Sequence, residues 1–109
     1  MTISIEDFKK TELKVGRILE VEEIEGLDKL YKLTVDLREE KPRTILAGVK
    51  EFLKKEELQG KNIVVVSNLE PKEVRGVLSE GMLLAAEDPE GRPTIISPTG
   101  EVPPGTPIR

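Results

Sequence analysis

The chain has 109 residues, 37% of them hydrophobic and 35% charged, with Lys+Arg 17 against Asp+Glu 21 and no cysteine, histidine or tryptophan. That is the composition of one folded domain, residues 1–109, with a modest core. It excludes thiolate or imidazole zinc sites, Cys and His nucleophiles, Ser-His-Asp triads and any disulfide framework, and the formal net charge of -4 argues against indiscriminate binding to nucleic acid.

Along the chain, Ser4 is placed to cap a short helix in which Ile5 and Phe8 share a face. From Leu13 to Ile24 the side chains alternate, with Leu13, Val15, Leu19 and Val21 on one parity. Gly16 beside Arg17 suggests a bulge there. Glu25 to Asp28 reads as a loop. Leu30 to Leu37 is the cleanest strand, with Tyr31, Leu33, Val35 and Leu37 opposed to Lys32, Thr34 and Asp36. A charged connection leads to a third strand, Arg43 to Ala47. Val49, Phe52 and Leu53 then mark an amphipathic helix that stops by Gly60.

Ile63 to Val66 is apolar on both parities, as expected of a strand buried on both faces. Asn68 to Glu80, with Pro71 and Gly76, reads as a long loop, and Met82 to Ala86 as a fifth strand. A short strand from Thr94 to Ser97 precedes a tail rich in Pro and Gly. Strand, strand, strand, helix, strand, long loop, strand is the order of an all-β OB-fold, a five-stranded Greek-key barrel with its helix between strands three and four. Its usual binding face would lie on strands two and three, between the loops Glu25–Lys29 and Asn68–Glu80. No stretch approaches the roughly 18 apolar residues of a spanning helix and no leader is visible, so a cytoplasmic protein with no membrane partner is expected.

A catalytic reading has little to stand on. The pairs Glu22-Glu23 and Glu56-Glu57 sit in charged surface contexts, and the isolated glycines form no phosphate-binding fingerprint. A non-enzyme without cofactor or metal is therefore expected. The informative stretch is Asn68 to Met82. Lys72 and Arg75 would meet phosphates, Asn68 and Ser79 would supply directional hydrogen bonds, and Met82 an adaptable apolar contact. The alternative is that Lys72 and Arg75 merely pair with Glu70 and Glu73.

Three ordered segments, Leu13-Lys14-Val15-Gly16-Arg17-Ile18, Asp28-Lys29-Leu30-Tyr31 through Asp36, and Asn68-Leu69 through Arg75-Gly76 to Ala86, resemble the tRNA-binding-domain family. That family includes the methionyl-tRNA synthetase beta subunit or carboxy-terminal domain, stand-alone homodimeric tRNA-binding proteins, and the export-related chaperone CsaA. The resemblance runs from about Ile5 to Ile108 and implies an OB-fold that recognises tRNA by shape and assists aminoacylation. It implies tRNA contacts at Lys29, Arg43, Asn68, Lys72, Arg75, Ser79 and Met82. It also implies a homodimer joined through the Ile5/Phe8 face and the tail residues Ile95, Ile96, Val102 and Ile108, and a methionyl-tRNA synthetase catalytic subunit as a further partner. The alternatives are a CsaA-like chaperone binding polypeptide and a domain that docks synthetases. Beginning at Met1 with a complete family length leans toward a separate subunit or a stand-alone protein.

Two departures from the family pattern stand out. Ala47 precedes Gly48 where Ser is usual, and Glu12 and Lys14 stand where Asp and Arg are usual. Tyr31 shares the parity of Leu33 and Val35, which favours a core role over stacking on a base. With only Phe8, Phe52 and Tyr31 aromatic, no stacking platform is available, leaving cations and hydrogen-bond donors matched to folded RNA. The acidic excess lies within the first 40 residues; Arg43, Lys72 and Arg75 lie in the neutral remainder.

Overall fold

A computed structural model describes all 109 residues. Helix α1 (Ile5–Phe8) is capped as expected, the Ser4 hydroxyl accepting the Asp7 amide at 3.1 Å. Strands β1 (Leu13–Ile24), β2 (Leu27–Asp36), β3 (Arg43–Ala47), β4 (Asn62–Val66) and β7 (Met82–Leu83) form the main antiparallel sheet in the order β3-β2-β1-β4-β7. The Glu80 amide donates to the Thr44 carbonyl at 2.7 Å, and this contact brings the β7 end of the sheet back to β3. The result is the OB-fold barrel.

Its interior follows from strand parity. Ile18 and Val21 of β1, Tyr31, Leu33 and Val35 of β2, Ile45 and Ala47 of β3, and Ile63 and Val65 of β4 form one cluster with Leu37, Val49 and Leu58. Complete burial of an aliphatic side chain contributes roughly 1.5–3 kcal/mol, so this cluster dominates the folding energy. Val64 and Val66, on the opposite face of β4, are buried as well, and the strand is covered on both sides as its composition requires.

Several expectations are corrected. The bulge in β1 falls at Leu19, not at Gly16: the pairing with β2 steps from Ile18↔Val35 to Glu20↔Thr34 and leaves Leu19 unmatched. Leu19 is therefore exposed, while Ile18 and Val21 both face the core. Gly16 serves a different end. A Cβ there would lie 2.7 Å from Val35 Cγ1 and 3.0 Å from Val65 Cγ2, so only glycine lets these side chains close over β1.

The Glu25–Asp28 loop is shorter than expected, because β2 begins at Leu27 and the connection is a tight turn with Gly26 at φ 84°. Lys29 is thus a strand residue. The expected amphipathic helix is interrupted: extended backbone at Lys54 (φ -87°, ψ 156°) separates a turn over 48–52 from the one-turn helix α2 (Lys55–Leu58). Val49 and Leu58 still plug the barrel, whereas Phe52 is exposed.

Asn68–Glu80 is a hairpin, not an irregular loop: β5 (Lys72–Val74) pairs with β6 (Val77–Ser79). Arg75 at φ 51° and Gly76 at φ 81° make the turn, both positive as a type I′ hairpin demands. The expected fifth strand divides, β7 pairing with β4 while β8 (Ala85–Glu87) pairs with β9 (Pro93–Ile95). The tail adds β10 (Pro107–Ile108), which takes up the β1 edge beside Leu13 and Lys14, where β2 has ended.

Candidate nucleic-acid interface

The outward face of β2 and β3 carries two leucines at positions where polar residues are usual. Leu30 shares the parity of Lys32 and Thr34, and Leu46 lies between the buried Ile45 and Ala47. With Leu69, Val74 and Met82 they line a groove of about 610 Å³ between the barrel and the β5–β6 hairpin. Glu70, Lys72, Ser79 and Gly81 complete its wall. Leu69 and Met82 are each 47% exposed, so the groove offers apolar surface to a ligand.

Lys72 stands on the wall of this opening, and Arg75 at the tip of the hairpin beside it. The register Lys72↔Ser79 turns both residues, with Val74, toward the groove, while Glu73 and Leu78 occupy the opposite parity. At the hairpin tip, the Arg75 guanidinium reaches the neighbouring β1–β2 turn, its Nη1 3.6 Å from where a Cβ added to Gly26 would stand. Lys29 is exposed on β2, on the parity of the buried Tyr31 and not that of Leu30. None of Lys29, Lys72 and Arg75 belongs to an ion pair, so the pairing of Lys72 and Arg75 with Glu70 and Glu73 is not formed.

The other expected contacts are engaged within the chain. Arg43 grips Glu39 through two bonds, Nε to Oε1 and Nη2 to Oε2, each 2.8 Å. Its remaining amine donates to the carbonyls of Ser67 (2.5 Å) and Glu80 (3.0 Å). The bonds with Glu39 raise the already high Arg43 pKa, against burial, and the same bonds hold the Glu39 carboxyl below its ordinary range. Asn68 accepts the Glu12 amide at 2.8 Å and donates to the Lys10 carbonyl at 2.6 Å. Ser79 Oγ accepts the Leu46 amide at 3.0 Å and donates to the Gly81 carbonyl at 3.2 Å. Tyr31 is a core residue, 5% exposed, its hydroxyl donating to the Leu53 carbonyl at 2.7 Å.

The expected set therefore separates into exposed residues on the groove (Lys72, Met82) and at the adjoining hairpin tip (Arg75), residues that build its frame (Arg43, Asn68, Ser79), and Lys29, which is exposed on β2 outside the groove lining. Sequence reasoning missed the apolar lining. Its signal was there in Leu30 and Leu46, apolar residues on an otherwise polar parity.

Residues 13–107 match the family model described as "Putative tRNA binding domain". The chain belongs to the tRNA-binding-domain family. All 109 residues align at 48% identity with the methionine–tRNA ligase of Pyrococcus abyssi, of which the chain spans 15%. Among solved structures, a methionyl-tRNA-synthetase-related protein from Pyrococcus horikoshii superposes with TM-score 0.93 at 38% identity, covering 100% of this chain and 99% of that one. The chaperone CsaA of Bacillus anthracis superposes with TM-score 0.90 at 29% identity over the whole of both chains. In this family the domain is a binding module and not a catalytic one, even where it belongs to a ligase. No helix is long and apolar enough to cross a membrane.

Proposed function

We infer that the protein binds tRNA through the groove between β2–β3 and the β5–β6 hairpin, and in doing so assists aminoacylation in the cytoplasm. The observation that carries this reading is that Lys72 on the groove wall and Arg75 at the adjoining hairpin tip are exposed and in no ion pair, beside an apolar lining that includes Met82. Cations of this kind engage phosphates and fix register, while the lining accepts the face of a base or ribose turned out of the folded RNA. Few contacts are offered, and the fit is to RNA shape.

A site of this size is weak as a single copy. The likeness to part of a methionine–tRNA ligase supports a role beside a synthetase, as a separate subunit or an appended domain, where tethering raises the effective concentration of tRNA. A homodimer serves the same end. Its support is the terminal face, where Ile5 is 58% and Phe8 41% exposed beside Ile108; sedimentation at micromolar concentration as a monomer would remove it.

Binding of bulk tRNA at several salt concentrations tests the reading. Affinity is expected to fall with rising salt and with Lys72→Ala and Arg75→Ala. The apolar groove and the full-length likeness to CsaA favour one second reading, capture of an unfolded polypeptide. It requires suppression of aggregation of a denatured client, insensitive to the Lys72 and Arg75 substitutions.

A further inference from the structure

Arg43 stands at the root of the hairpin arm, away from its cationic tip. The arm leaves the barrel after Ser67 and returns at Glu80, and one amine of Arg43 donates to the carbonyls of both residues. The guanidinium is held from its other side by the Glu39 carboxylate, which lies four residues earlier on the connection between β2 and β3. The return side is fixed again where the Glu80 carboxylate accepts the Thr44 amide at 3.2 Å and the Ser79 hydroxyl accepts the Leu46 amide. The departing side is fixed where Asn68 bridges Glu12 and Lys10. Beyond these ties the arm is a short two-stranded hairpin, which has little stability of its own in water.

We propose that Arg43 is a positioning residue for RNA binding: it closes both ends of the arm into one clamp and thereby sets Lys72 and Arg75 over the groove. The consequence for RNA rests on the tRNA-binding reading above; the clamp does not. The chemistry calls for arginine. A planar fork takes the carboxylate through two parallel bonds and keeps a further amine for the two carbonyls, whereas a lysine ammonium cannot hold both ends in one fixed geometry. With four bonds already made inside the chain, little of the guanidinium is left for a phosphate.

The test compares wild type, Arg43→Lys, Arg43→Ala and Lys72→Ala in two measurements, tRNA affinity across a salt series and amide hydrogen exchange of the free protein. For Arg43→Ala, affinity is expected to fall on the order of tenfold with the salt slope unchanged, while Lys72→Ala lowers the slope by about one. Amides of β5 and β6 should exchange faster in Arg43→Ala, those of the core strands β1 and β2 at the wild-type rate, and Arg43→Lys should lie between. A slope lowered by about one with arm protection intact makes Arg43 a phosphate contact and overturns the proposal. Core and arm amides losing protection together in both Arg43 variants would make the residue a general fold support, which also overturns it. A wild type that binds no tRNA removes the RNA reading, and the exchange rates still decide whether Arg43 holds the arm.

Discussion

Arg75 and Gly26 meet at the tips of two different hairpins: the guanidinium Nη1 lies 3.6 Å from where a Cβ added to the glycine would stand. The contact places a cation beside the β1–β2 turn, and it comes with backbone strain. Arg75 occupies φ 51°, a region that costs an ordinary L-residue roughly 1–2 kcal/mol. A turn selected for stability alone would carry Asn-Gly here. Arg75→Asn is therefore expected to raise stability by about 0.5–1 kcal/mol in denaturant unfolding while weakening tRNA binding. Loss of both stability and binding would contradict the assignment of Arg75 to function.

Gly16 is a packing requirement. Adding a methyl group at 2.7 Å from Val35 Cγ1 and 3.1 Å from Leu37 Cδ2 overfills the barrel, and Gly16→Ala should cost about 1–3 kcal/mol. Pairing it with Val35→Ala should recover part of that loss. A double variant no more stable than the sum of its single losses would count against the contact.

Tyr31 separates a core role from a stacking one. Tyr31→Phe strands the Leu53 carbonyl and should destabilise the fold by about 1–2 kcal/mol with tRNA affinity unchanged. Reduced affinity in a fully folded variant would return Tyr31 to the interface.

Acid should loosen the root of the arm first. Hydrogen bonds from Arg43 to Glu39, and from the Ser67 hydroxyl to Glu12, hold these carboxyls below their ordinary 4.5. The unfolded chain binds protons more readily, so this stabilisation is complete above pH 4.5 and is lost as pH falls through the depressed values. Thermal unfolding between neutral and acidic pH should decline less steeply in Glu39→Gln than in wild type, and identical slopes would show that the pair contributes nothing.

How legible this was in the sequence depended on the range of the cause. β3 was readable to its ends because Pro42 and Gly48 punctuate it, and β4 to within one residue, since its apolar run has no parity and the strand begins at Asn62. The Leu19 bulge was not, since it arises from pairing with β2. The β5–β6 hairpin hid behind an Arg in a position that usually announces itself with Asn, although Gly76 marked the turn. Lys72 and Arg75 were identifiable by residue type. That Arg43, Asn68 and Ser79 turn inward depends on partners more than twenty residues away along the chain, such as Ser67, Glu12 and Leu46, which no local pattern reveals.

Whether tRNA lies on the groove is decided by the salt dependence of its affinity for wild type against the Lys72→Ala, Arg75→Ala double variant. Each cation that meets a phosphate adds about one to the slope of log affinity against log salt, so the double variant should lose roughly two. An unchanged slope with unchanged affinity would mean that the groove beside β2 and β3 is not where tRNA binds.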